Sequence, residues 1–161
     1  MKKNNLAIRG GPLLSWDIFM FSYSQRMHYS DDIQALPKLM GDNACAIEPA
    51  AAVENLIWHD KVVIVTDTKL TIVYASKNLT SMTGYKPKEV IGNTPKMFQG
   101  EATTAEAKAV IRNGIDSQKP FDVVITNYKK DGSLYKCHVQ GYPVFSRNND
   151  LVNFIAFENA A

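Results

Sequence analysis

The fold is decided by residues 84–100, which read GYKPKEVIGNTPKMFQG. Pro87 suits the first turn of a short helix over residues 86–91, because the N–H that proline lacks has no partner there. Gly92 is predicted to end this helix, since glycine accepts a left-handed backbone that other residues resist. Pro95 keeps the residue before it extended, so we expect the chain to leave the turn as an open segment rather than a helix. An open segment of this kind is typical of the lining of a pocket.

Length, composition and charge exclude several classes of protein. A chain of 161 residues suits one domain with a modest core. The net charge of +2 is too small to favour nucleic acid or an anionic membrane surface as a partner. No apolar run approaches the ~18 residues of a membrane span, and the N-terminus, MKKNNLAIRGG, lacks the apolar core of a signal peptide. With Cys45 and Cys137 as the only cysteines, a disulfide scaffold is not expected, and we predict a cytoplasmic protein.

The first 57 residues are predicted to form a flexible tail (residues 1–12) and an N-terminal helical cap (residues 13–57). The residues Leu13, Trp16, Met20, Tyr23 and Met27 recur at three- and four-residue steps and predict a helix from Leu13 to Tyr29. Leu14, Ile18 and Phe21 form a second stripe beside them. Two interpretations of this wide apolar face stay open. The helix covers a sheet face of its own domain, or it pairs with a second copy of the chain.

Two more helices are predicted in the same segment. Ser30 is a helix N-cap, followed by acidic residues in the first turn, and Gly41 ends the helix that begins there. Pro37 limits or kinks it. Glu48-Pro49 opens a further helical run, after a linker-like stretch over residues 41–48.

From Lys61 onward the pattern changes to short strands separated by turns. The runs KVVIV (61–65) and LTIVYAS (70–76) predict a hairpin, and short helices follow over residues 77–84 and 86–91. A longer helix is predicted from Glu101 to Gln118. The last three strand candidates are FDVVITNYK (121–129), SLYKCHVQGYPVF (133–145) and LVNFIAFE (151–158). This order predicts an α+β fold, a five-stranded antiparallel sheet with helices on one side.

These blocks resemble a PAS domain, from about Trp58 to Glu158. The residues that carry the resemblance are VVIVTDTKLTIVYASKNLTSMTGY (62–85), the EVIGNTPKMFQG run, the helix ending in AVIRNGI, and NYKKDGSLY with GYPVF behind it. They stand in the right order and at the right separations. Among PAS domains the chain is similar to the light-oxygen-voltage (LOV) flavin photosensors.

The resemblance implies that the photochemistry of LOV domains is absent. LOV domains carry a cysteine inside a G-x-N-C-R-F-L-Q run, and its thiol adds to the light-excited flavin ring. The matching run here is GNTPKMFQ, residues 92–99, in which Pro95 stands at the position of that cysteine. Proline has no nucleophilic side chain. Thr94 replaces the neighbouring asparagine, and neither Cys45 nor Cys137 lies in this segment.

The resemblance also marks candidate cofactor-binding residues, some of which match a flavin site. Lys96 and Arg112 stand where cations would meet the flavin phosphate, and Gln99 and Asn127 are retained. The mismatched positions are Cys137, in place of a second asparagine, and Glu158, in place of the final-strand glutamine. A carboxylate at Glu158 cannot donate a hydrogen bond unless it is protonated, so it fits the acceptor edge of an oxidised flavin poorly. The ligand, flavin or another small molecule, therefore stays open.

Strand alternation predicts which side chains face the pocket. If Asn127 points inward, so do Ile125, Val123 and Phe121; if Cys137 points inward, so do Tyr135 and Val139. His138 then lies on the outer face, which disfavours haem, because a haem ligand must point into an apolar pocket. No metal site is predicted, since His28 and His59 are isolated.

The sequence thus predicts a stand-alone PAS sensory or protein-interaction module that signals to a separate protein. A homodimer through the Leu13–Tyr29 helix is expected. The alternatives from other classes are a flavin-binding redox or light sensor without adduct formation, and a small enzyme using Glu158 as a base. Catalysis is not expected, because a lone carboxylate lacks a second acid–base group.

Overall fold

A computed structural model describes residues 15–40, 44–45, 53–56 and 59–161. The helices are α1 (Ser15–His28), α2 (Ser30–Met40), α3 (Leu79–Thr83), α4 (Pro87–Val90) and α5 (Ala105–Asp116), with a 3₁₀ turn at Pro95–Phe98. The strands are β1 (Ala44–Cys45), β2 (Val62–Asp67), β3 (Ile72–Ala75), β4 (Phe121–Tyr128), β5 (Leu134–Phe145) and β6 (Leu151–Ala160). The predicted tail over residues 1–12 and the helix start at Glu48-Pro49 lie outside the described residues, while residues 53–56 are helical.

The sheet confirms the predicted α+β class. Strands β4, β5, β6, β2 and β3 lie side by side in that order, all antiparallel. The two-residue strand β1 adds to the same edge of β5 as β4, with Ala44 opposite Phe145. This strand lies within the stretch over residues 41–48 that the sequence marked as linker-like. Because β4 pairs with β5 only as far as Gly141, the far end of β5 keeps free backbone groups that a short strand can pair with.

Local residue chemistry explains the turns around the site. Gly92 has φ +86°, which confirms the left-handed helix stop. The side chain of Asp67 accepts hydrogen bonds from the backbone N–H groups of Lys69 (2.9 Å) and Thr71 (2.8 Å), and this closes the β2–β3 hairpin. The long helix α5 begins at Ala105 rather than Glu101, because the hydroxyl of Thr104 caps it by accepting from the Ala107 N–H at 3.3 Å.

The chain after Gly92 differs from the predicted open segment. Thr94 is extended (φ −103°, ψ 155°), as the rule for residues before proline requires. The next residues, Pro95–Phe98, nevertheless form a 3₁₀ turn. The expectation of an entirely open segment was wrong, because proline is as compatible with the first position of a 3₁₀ turn as with that of an α-helix.

The outer face of the sheet is covered by α2 and by the helical residues 53–56. Their buried members share one core with side chains of β2, β5 and β6: Tyr29, Leu36, Leu56, Val63, Val65, Val144, Ile155 and Phe157. By contrast, the described apolar side chains of α1 stay open, with Met20 45% and Met27 60% exposed. Tyr29, the last residue of the predicted Leu13–Tyr29 helix, is buried in the core that α2 shares with the sheet. Both interpretations of the apolar face of this helix stay predictions.

Hydrogen bonds hold α2 in place beside β3. The buried carboxylate of Asp32 accepts from the Tyr74 hydroxyl at 2.7 Å and from the Lys77 backbone N–H at 3.3 Å. Burial, and then the Asp32 carboxylate, raise the pKa of Tyr74 far above its ordinary value, so its hydroxyl remains a donor. Where α2 begins, the Tyr29 hydroxyl donates to the Asp60 carboxylate. The cap is thus joined to the sheet by polar contacts as well as by apolar packing.

Candidate functional site

The candidate site is a cavity of about 350 Å³ between the inner face of the sheet and the helical side of the domain. Its volume lies within the range of small-molecule sites, ~300–1,000 Å³. The lining comes from β2, β4, β5, β6, α5 and the segment around the 3₁₀ turn. We call its exposed end the mouth and its buried end, lined by Ile125, Asn127 and Glu158 among others, the inner end.

The predicted facing on β4 and β5 is confirmed in part: Val123, Tyr135 and Cys137 pack in the core cluster with Ile125 and Val139 but do not line the cavity. Phe121, Ile125 and Asn127 line the cavity from β4, and Val139 lines it from β5. His138 lies on the opposite face, where its Nε2 is 2.6 Å from Asp122 Oδ1. The two faces of β5 therefore serve different purposes, one towards the cavity and one towards the outside of the sheet.

Some hydrogen-bonding atoms on and beside the cavity lack partners within the described chain. Asn127 Oδ1 and Thr66 Oγ1 belong to buried residues on the cavity and form no hydrogen bond there. The hydroxyl of Tyr135, opposite Asn127 in the β4–β5 register, is also without one. An unsatisfied buried polar atom costs ~1–3 kcal/mol. The cavity is therefore suited to a ligand or ordered water that supplies the missing partners of Asn127 and Thr66.

Glu158 is a buried carboxyl group on the cavity. In the described chain its carboxyl group has one hydrogen-bond partner, the Cys137 thiol, whose Sγ donates to Oε2 at 3.6 Å. Burial raises the pKa of Glu158 to about 7, and the Cys137 hydrogen bond opposes this only in part. Near neutral pH the neutral and ionised forms of Glu158 are both populated.

Cys137 is buried and lies beside Glu158, but it is not among the residues that line the cavity. Burial first, and then the charge of Glu158, raise the pKa of its thiol far above the ordinary value. A thiol that stays protonated is a poor nucleophile. Cys137 acts in this structure as a small apolar residue in the core cluster with Ile125 and Val139.

Exposed charged side chains surround the mouth, and most of them are cations: Lys69, Lys96, Lys108, Arg112 and Asp116. The ion pairs found in the described residues join Lys77 to Asp31, Lys130 to Glu89 and His138 to Asp122, so none neutralises a cation of the mouth. A ligand with an anionic group would meet unpaired positive charge there.

Sequence reasoning missed two of these cations. Lys108 lies one turn before Arg112 on α5, and this i, i+4 spacing was a signal for a shared helix face. Lys69 lies in the β2–β3 hairpin and reaches the cavity only through the tertiary fold. No signal in the sequence connects Lys69 with Arg112.

Of the residues predicted as a cofactor site, all but Cys137 line the cavity, namely Lys96, Gln99, Arg112, Asn127 and Glu158. Pro95 and Thr94 line it as well. The segment that the sequence marked as a pocket lining thus lies at the cavity, and its role in binding stays a prediction.

The residues that the structure describes (15–40, 44–45, 53–56 and 59–161) show neither a metal site nor a membrane span. No cluster of three or more histidine, cysteine, aspartate or glutamate side chains there is arranged to hold a metal ion. In the same part of the chain, no helix combines the length and the apolar character that crossing a bilayer requires.

Residues 59–159 match the PAS domain family. Protein TWIN LOV 1 of Arabidopsis thaliana is 38% identical over 88 residues, 54% of this chain and 22% of that protein. The bacterioopsin transcriptional activator of Halobacterium salinarum is 29% identical over 93 residues, 58% of this chain and 14% of that protein. A blue-light-activated histidine kinase of Brucella ovis is 33% identical over 85 residues, 53% of this chain and 17% of the kinase. The chain therefore spans a minor part of the length of these relatives.

Solved structures of LOV domains are similar in fold. One, from work on a flavin analogue and the mechanism of the light-oxygen-voltage domain, matches with a TM-score of 0.64 at 26% identity, covering 69% of this chain and 84% of that chain. The dark structure of the blue-light photoreceptor Aureochrome1 LOV matches with a TM-score of 0.63 at 25% identity, covering 69% of this chain and 83% of that chain. The fold of this chain thus has counterparts among solved LOV domains.

Proposed function

The chain belongs to the PAS domain family, and on this premise we propose that it is a sensory module whose output depends on what occupies its cavity. The observation that carries the proposal is the cavity itself, with unpartnered polar atoms on its lining and cations at the mouth that form no ion pair within the described residues. The ligand class that suits it has a polar, planar head and an anionic tail. The partner that receives the signal is, on this proposal, a separate signalling protein.

The route from cavity to output runs through the strands. On β6, Glu158 faces the cavity while its neighbour Phe157 belongs to the core shared with α2. On β2, Ile64 lines the cavity while Val63 and Val65 belong to that same shared core. A ligand that shifts β2 or β6 therefore acts directly on the packing of α2, without a long chain of intermediates.

We propose that this module works without a cysteinyl adduct. Pro95 lies on the cavity at the position where the LOV resemblance places the reactive cysteine. The thiol of Cys137 is buried beside Glu158 instead, and its raised pKa keeps it protonated. Catalysis is not assigned either, because the titratable groups beside Glu158 among the described residues, the Cys137 thiol and the Tyr135 hydroxyl, both have raised pKa values and stay protonated.

A second candidate is a flavin-binding redox or light sensor, favoured by the unpartnered Asn127 amide oxygen. In this form Asn127 and Glu158 would hold the polar edge of the ring, and Lys96 and Arg112 would bind the phosphate. The fit requires Glu158 to be neutral, because an ionised carboxylate cannot donate to an acceptor atom of the ring. A bound flavin would supply blue-light absorption and redox chemistry.

An absorption spectrum of the purified protein, with mass spectrometry of any released small molecule, tests the occupancy proposal. We expect a bound organic molecule, or saturable binding of added FMN. Lys108→Ala and Arg112→Ala should weaken FMN binding more than riboflavin binding, because riboflavin lacks the phosphate. A cavity that binds neither and is purified empty would contradict a ligand-dependent function.

Illumination of the FMN-loaded protein tests the absence of an adduct. We expect no reversible loss of the flavin absorption band in the natural sequence. Pro95→Cys is expected to introduce that loss, because the new thiol would lie on the cavity. Asn93→Cys, at an exposed position of the same segment that does not line the cavity, is the matched control for an added thiol. Bleaching of the unaltered protein through a cysteine adduct would refute this part of the proposal.

We also propose that α1 mediates a homodimer. Met20 and Met27 are exposed and lie two turns apart on one side of the helix. A charge at the centre of such an interface would be buried without a partner, so Met27→Glu should convert a dimer into a monomer. Gln34→Glu on the exposed side of α2 is the control. Light scattering at micromolar concentration measures both, and a monomeric natural sequence would contradict the proposal.

A further inference from the structure

We infer that Glu158 must carry a proton when the cavity is filled by a ligand that presents hydrogen-bond acceptors to the inner end. Ligand binding is then coupled to proton uptake, and Glu158 selects for neutral, amide-like ring edges. This inference rests on the proposed ligand-binding function and adds the residue that makes binding depend on pH.

The carboxyl group of Glu158 lies in a buried, mostly apolar environment that is fixed by the sheet. Its backbone pairs with Val62 on one side and Val139 on the other, in the middle of the sheet. The residue is buried, with Ile64, Ile125 and Ala156 among the apolar residues that line the same cavity. An ionised carboxylate in such a place requires hydrogen-bond donors or a cation.

The groups that surround Glu158 provide neither strong hydrogen-bond donors nor a cation to stabilise its ionised form. From β5, the Cys137 thiol is a weak donor, and the Tyr135 hydroxyl is a second titratable group close enough for Glu158 to raise its pKa. From β4, Asn127 is uncharged. The charged residues on the cavity from the remaining elements are those of the mouth, Lys69, Lys96, Lys108, Arg112 and Asp116, all of them exposed to solvent.

The neutral form changes what the inner end can bind. A carboxylic acid donates one hydrogen bond and accepts others, whereas a carboxylate only accepts. Asn127 and Glu158 line the same cavity. Asn127 offers an amide, and with a protonated Glu158 it matches a ring edge on which donors and acceptors alternate. An ionised Glu158 would instead place acceptor against acceptor.

Burial favours the neutral form of Glu158, in agreement with the pKa of this group, which is raised to about 7. Glu158 therefore gains or loses its proton within the physiological range of pH. A ligand that requires the neutral form of Glu158 binds in competition with the ionisation of this group. Above that pKa, one proton must be taken up for each acceptor-edged ligand bound. Linkage then predicts that affinity falls about tenfold per pH unit.

Riboflavin is the probe that isolates this effect. It lacks the phosphate of FMN, whose ionisation and contacts with the cations of the mouth would also depend on pH. We expect its affinity for the natural sequence to be constant below about pH 6 and to fall about tenfold between about pH 8 and about pH 9. Glu158→Gln, which is always neutral and has the same shape, should bind with an affinity that does not change over this range. Melting temperatures recorded at each pH show that both proteins remain folded during the titrations.

The outcomes separate the inference from the function on which it rests. Riboflavin binding with the same pH profile in both proteins, or tighter binding at high pH, would overturn the role of Glu158 while leaving the ligand-binding function in place. Failure of both proteins to bind riboflavin and FMN would overturn the inference and the flavin candidate together. A fall in affinity confined to the natural sequence is the result that supports the inference.

Discussion

Glu158→Gln is expected to raise the free energy of unfolding by about 3 kcal/mol at about pH 8 or above, and to leave it nearly unchanged at about pH 4. The pKa of this carboxyl is raised from 4.5 to about 7 by burial in the folded protein. Between these values the folded state holds a proton that the unfolded state has released. The stability that the neutral group contributes is therefore complete below pH 4.5 and is lost as pH rises through 7.

Urea unfolding at several pH values measures this difference. Glu101→Gln, at an exposed position before α5, is the matched control and should change the free energy of unfolding by less than about 0.5 kcal/mol at any pH. A Glu158→Gln effect of the same size at low and high pH would show that the substitution acts through packing. Such a result would not support an ionising carboxyl group at the cavity.

Leu36→Ala is expected to lower the free energy of unfolding by about 2–5 kcal/mol. Leu36 is fully buried at the centre of the contact between α2 and the sheet, in the same core as Phe157 and Val63. Truncation removes its apolar contacts and leaves a cavity under the cap, and the polar contacts of Asp32 with Tyr74 and Lys77 cannot fill that space.

Denaturant unfolding of Leu36→Ala is best compared with that of Val110→Ala, a truncation at a 41% exposed position on α5. The control should change stability by no more than about 0.5 kcal/mol. An equally small effect of Leu36→Ala would mean that α2 does not rest on the sheet of its own chain in solution. An effect that disappears on dilution would indicate that α2 packs on a second copy instead.

The two predictions concern opposite faces of β6, and their combination has a functional meaning. Glu158 and Phe157 are adjacent in sequence, so a change of charge or occupancy at the cavity acts next to the core that holds α2. If the cap passes the signal to a partner, Leu36→Ala should reproduce part of the structural change that ligand binding causes in the cap. Proteolysis at α1 and α2, with and without ligand, would reveal this similarity.

Much of the fold was accessible from local patterns. Alternation along β4 and β5 depends only on strand geometry, so the inward side of Asn127 and the outward side of His138 followed from their spacing. The stop at Gly92 required only the conformational freedom of glycine. The start of α5 was misjudged, because Thr104 is a better cap than the residues around Glu101 and only the hydrogen bond to Ala107 distinguishes them.

The sequence by itself determined the α+β class, the strand order along the chain and the segment that lines a pocket, because these depend on periodicity and turn chemistry within short stretches. Only the tertiary structure decided that α2 packs on the sheet, that Lys69 joins Arg112 at one mouth, and that Glu158 meets no cation within the described residues. These outcomes depend on which distant side chains share one space. Burial and the pKa of Glu158 are properties of that shared space and not of any stretch of residues.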